Sequence, residues 1–69
     1  MATAPAMTPR QVRLMAQQLR PVLTQQPHWR RTNGGALLKL AERFPGSIVA
    51  NPKRLERFVE LCQDNGVRA

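Results

Sequence analysis

Apolar residues return along this chain at helical spacing. Between Gln11 and Gln26, Val12, Met15, Leu19 and Val22 are separated by three, four and three positions, and Leu23 widens the same stripe. Residues so spaced share one helix face. Leu37, Leu40, Ala41 and Phe44 repeat the pattern at i, i+3, i+4 and i+7, with Leu38 beside them, and Leu55, Phe58, Val59 and Cys62 make a third stripe.

Punctuation between the stripes sets their ends. Thr8-Pro9-Arg10-Gln11 carries a capping hydroxyl, a proline at the first helical position and a glutamine able to return the bond, which together form a helix start. Pro21 complicates this first helix, because proline lacks an N–H and crowds the carbonyl four residues back, at about 3 kcal/mol in a helix interior. The helix either stops at Arg20 or bends and continues to about Gln26, before Pro27. In the next segment, PHWRRTNGG, Trp29 is the expected anchor, and Thr32 or Asn33 can cap the second helix. Pro45-Gly46 reads as its stop. Ser47–Ala50 is too short for a strand, leaving Ile48 and Val49 as loop anchors over the core. Asn51-Pro52 repeats the cap-then-proline logic of Thr8-Pro9, and Asn65-Gly66 supplies a C-terminal stop.

The pattern predicts three helices at about 8–26, 35–44 and 52–64. The expected fold is all-α, either a small three-helix bundle or a helical homodimer. Residues 8–66 form one helical domain, between a flexible lead-in at 1–7 and a tail at 67–69. With 69 residues in all, the core is small. Chains of this size seldom gain more than about 3–5 kcal/mol from a core without staples or a partner, so pairing of apolar faces across a two-fold axis is a natural solution.

Composition removes several ways of reinforcing that core. The single cysteine, Cys62, cannot form an internal disulfide, and one Cys with one His cannot complete a four-ligand zinc site. No cofactor is expected. MATAPAMTPR lacks the charged opening and apolar run of a secretory signal, so a cytoplasmic location is the default. The first helix is basic and amphipathic, but its apolar stripe carries no aromatic residue, so a membrane role is not expected.

Charge changes the picture most. Eleven Lys/Arg against four Asp/Glu give a net charge of +7, and the first 35 residues hold five arginines and no acid. Arg10, Arg13, Gln17 and Arg20 gather on an arc roughly 140° around the first helix from its apolar stripe. With Arg30 and Arg31 they form a candidate nucleic-acid-binding surface of Arg10, Arg13, Arg20, Arg30 and Arg31, since guanidinium forks suit phosphate oxygens. Zinc-finger spacing, a GXXG loop and a helix-turn-helix with a short turn are all missing from the sequence. Asn33-Gly34-Gly35 lacks phosphate-loop spacing and serves a turn and a close approach.

Enzymatic chemistry is not expected. Glu56, Glu60 and Asp64 follow an i, i+4, i+8 path where like charges repel unless screened. Cys62 lies on an apolar stripe, and nothing orients His28 toward it. The expectation is a non-enzymatic regulatory or accessory protein whose arginine-rich half engages nucleic-acid backbone. An alternative is a regulator that binds an acidic protein surface, inhibiting or positioning its partner through a helical groove and the interface residues Trp29, Arg30 and Arg31. A structural role within a larger assembly needs only the same bundle.

Overall fold

Thr8 starts the first helix as its sequence dictates. Its hydroxyl accepts from the Gln11 backbone N–H at 3.2 Å, while its own N–H donates to Gln11 Oε1 at 2.9 Å, so two backbone donors left over at the helix start are satisfied reciprocally. In this computed structural model, which describes residues 7–67, α1 runs Pro9–Leu23. A short 3-10 turn follows at Trp29–Arg31, then α2 (Asn33–Arg43), α3 (Pro45–Val49) and α4 (Pro52–Asp64).

The all-α expectation holds, with four helices in place of three. The segment read as a loop with Ile48 and Val49 as anchors is helical, and it is central to the packing: α3 touches α1, α2 and α4. Pro45 is the reason. The Phe44 backbone leaves the helical region (φ −133°, ψ 65°), and Pro45 then opens a new helix at a position where no N–H is required. One signal thus ends α2 and begins α3. Pro45 and Ile48, three residues apart, are both buried, which gives even this single turn an inner face.

α1 passes through Pro21, continuing beyond Arg20 but stopping short of Gln26. Pro21 lies in the final turn, where Thr24 closes the helix by donating its N–H and its hydroxyl to Arg20 O at 3.0 and 2.7 Å. Leu23 therefore completes the buried stripe, and Val22 is 38% exposed. Phe44, placed by its spacing in the α2 stripe, is 62% exposed, because the backbone break at that residue takes it off the helical register. α2 begins two residues earlier than expected, so Gly34 and Gly35 belong to its first turn, with Thr32 as cap accepting from Gly35 N at 3.0 Å.

The core gathers Val12, Met15, Ala16, Leu19 and Leu23 from α1, Leu38 and Ala41 from α2, Ile48 from α3, and Leu55, Phe58 and Cys62 from α4. Met7 and Val67 join this packing at the domain's edges, although both fall in the expected lead-in and tail; residues 1–6 and 68–69 of those segments lie outside the described residues. Met7 precedes the cap and packs toward the core that Val12 enters, as in a hydrophobic staple. Val67 N–H donates to Cys62 O at 2.8 Å and Gly66 N–H to Gln63 O at 3.1 Å, with Gly66 at φ 77°. This is a Schellman close, and the positive φ is why glycine stands there. Among the described residues no buried side-chain polar atom lacks a partner.

Candidate nucleic-acid interface

The half-buried Trp29 packs against the core and is held by an unusually close helix start. Its carbonyl accepts the Thr32 N–H at 3.2 Å and the Thr32 hydroxyl at 2.7 Å, and that hydroxyl in turn caps α2. Gly35 lies so near that a Cβ built on it would stand 1.9 Å from Trp29 O and 2.8 Å from the carbonyl carbon. Only glycine fits. His28, just before, takes up a left-handed conformation (φ 64°) to turn the chain into this arrangement.

Three cations converge on the Trp29 ring. The charged groups of Arg30, Lys39 and Arg20 lie 5.5, 5.8 and 6.0 Å from its centroid, within cation–π range. No two can then be more than about 12 Å apart, so three positive charges share one small patch of surface, and their mutual repulsion is strongest at low salt, where the Debye length exceeds about 10 Å. One acid offsets them: Arg20 Nη1 donates to Glu42 Oε1 and Oε2 at 2.8 and 3.0 Å, an exposed pair in which screening limits the gain.

Of the five arginines read from the sequence, Arg20 and Arg30 meet at this ring. Arg13 and Arg10 continue the same face of α1, displaced along the helix from Arg20 by about 10 and 15 Å of rise, and both are exposed. Arg31 is exposed on the 3-10 turn but does not approach the ring within this range. Lys39 was missed by sequence reasoning. Its signal is its place four residues after Gly35: once Gly35 abuts Trp29, the residue one turn on stands over the same ring.

The remaining candidates carry no such convergence. Cys62 is buried, and burial pushes its thiol up from an ordinary 9.0 to about 11; a thiol so protonated is a poor nucleophile. His28 is exposed. Among the described residues no three His, Cys, Asp or Glu side chains group to hold a metal ion, and no helix is long and apolar enough to cross a membrane. The fold and this surface define a small all-helical domain with a cationic aromatic cluster. Comparison with protein-family models, curated proteins and solved structures finds no match to the chain.

Proposed function

We propose that this protein is a non-enzymatic accessory or regulatory factor that binds nucleic-acid backbone along the arginine face of α1, with the Trp29 cluster as the centre of contact. The observation that supports this reading is the gathering of Arg20, Arg30 and Lys39 within 6.0 Å of one ring. Cations gathered on one small patch form a local concentration of positive charge that a polyanion neutralises with release of its counterions. Arg13 and Arg10 extend the positive face beyond the cluster, so successive phosphates find successive cations. Trp29, half-buried and covered by cations, acts mainly as the platform that positions them.

A second reading, an acidic protein surface, draws on the same cations and is favoured by Phe44, 62% exposed at the α2–α3 joint. Exposed aromatics of this kind anchor protein interfaces. Anisotropy of a labelled random duplex titrated with protein in a salt series decides between the two. Five phosphate contacts predict a slope of log affinity on log salt of about −4 to −5, so affinity falls about 500-fold between 50 and 200 mM salt. Absence of saturable binding at 50 mM salt overturns the nucleic-acid reading; recovery of an acidic protein after nuclease treatment then supports the second.

A further inference from the structure

On the side of α2 away from Trp29, an open groove of about 760 Å³ separates α2 from α4, and its walls include Leu37, Leu40, Leu61, Lys53, Arg57 and Glu60. The α2 residues facing it stand about 140° around the helix from Gly35, Lys39 and Glu42. Occupying the groove therefore leaves the cationic cluster free.

The charges on the α4 side are sorted by sign. Lys53, Arg54 and Arg57 stand in the N-terminal half of the helix, and Glu60 and Asp64 in the C-terminal half, all along this groove. Within one molecule the order is unfavourable twice over. Lys53 with Arg57 and Glu60 with Asp64 are like-charged i, i+4 pairs, which repel. The macrodipole asks for acids in the first turn and bases in the last, and α4 has neither. Among the described residues the ion pairing is confined to Arg20 and Glu42, so no charged group of α4 is in an ion pair there.

We propose that the groove receives a second copy of this chain, with the two α4 helices antiparallel about a two-fold axis near residues 58 and 59. That axis sets Lys53 of each copy opposite Asp64 of the other, and Arg57 opposite Glu60, giving four reciprocal ion pairs along a face about 16 Å long. Each helix dipole then runs against its neighbour's. The part-buried Leu37, Leu40 and Leu61 provide the apolar floor that the pairing covers. Self-complementarity of sign under this one operation selects a second copy over an unrelated partner, and the inference does not depend on nucleic-acid binding.

Sedimentation of the intact chain tests it. The wild type is expected to pass from 7.8 kDa to twice that mass as concentration rises from about 10 µM to 1 mM. Two variants then separate the signs: K53E/R57E makes this face of α4 acidic apart from Arg54, and E60K/D64K makes it basic. All four positions are exposed, and circular dichroism checks that both variants stay helical. Each variant alone should dimerise at least about tenfold more weakly than wild type, and an equimolar mixture should restore association because every opposed pair is again complementary. A wild type that stays at 7.8 kDa throughout overturns the proposal. So does a wild-type dimer whose two variants self-associate unchanged, or whose folded variants fail to pair when mixed.

Discussion

Two adjacent glycines in the first turn of α2 should respond to the same substitution with opposite signs. Replacing glycine by alanine inside a helix ordinarily gains about 1 kcal/mol. At Gly35 the new methyl would lie 1.9 Å from Trp29 O and 3.2 Å from Trp29 Cε3, against backbone that cannot rotate away. Restoring ordinary contact requires α2 and the Trp29 turn to part by about 1.5 Å, overpacking that costs roughly 1–3 kcal/mol. The same movement strains the Thr32 cap, which joins Gly35 N–H to Trp29 O through one hydroxyl and contributes about another 1 kcal/mol. Gly35→Ala should therefore lose about 1–3 kcal/mol net, or roughly 4–20 °C in Tm for a domain of this size. Gly34→Ala meets Leu61 Cδ1 at 3.1 Å, the end of a side chain that can yield, and should be neutral or gain up to about 1 kcal/mol. Urea unfolding followed by Trp29 fluorescence and by far-UV circular dichroism measures both. A Gly35→Ala variant as stable as wild type would refute the close-approach argument.

Other expectations follow from the same geometry. The Cys62 thiol holds its proton more tightly when folded, so its contribution is complete below about pH 9 and is lost as pH rises toward 11, by at most about 2–3 kcal/mol; denaturation midpoints across that range check it, and rapid native-state alkylation at pH 8 would contradict it. Glu42→Gln should change stability by less than about 1 kcal/mol, because the pair with Arg20 is exposed. It should also tighten duplex binding at a given salt concentration, since Arg20 no longer shares its charge with a carboxylate, while the salt slope stays near that of wild type because Arg20 is already one of the five contacts. Pro21→Ala should raise stability by about 1–2 kcal/mol by restoring an N–H in the last turn of α1; thermal melts that show a loss would mean that the proline is better accommodated than its position implies.

Much of the fold could be read from residue types because its devices are local. Thr8, Thr32 and Asn51 each cap a helix by a side-chain oxygen three residues before the N–H that it accepts. The Gly66 close is likewise a property of a few adjacent residues. α3 was not legible for the same local reason. Pro45-Gly46 carries a strong stop signal, and the start that follows depends on Ile48 finding a place among three other helices. Phe44 shows the limit of periodicity, since one non-helical backbone angle moved a residue with ideal spacing out of the core. Of the candidate site, the arginine face of α1 was visible in the sequence. Its union with Lys39 was not, because it depends on how closely Gly35 approaches Trp29. The repulsion along Glu60 and Asp64 was also visible, but its counterpart in Lys53 and Arg57 gains meaning only with the groove beside it.

In the proposed function, phosphate is held by the cations around Trp29 together with Arg10 and Arg13. The salt slope of duplex binding, compared between wild type and R20Q/R30Q/K39Q with circular dichroism verifying that the variant is folded, decides whether they do. Removing three of five contacts should reduce the slope from about −4.5 to about −2. An unchanged slope, or wild-type protein that shows no saturable binding at low salt, would rule out phosphate binding at this surface.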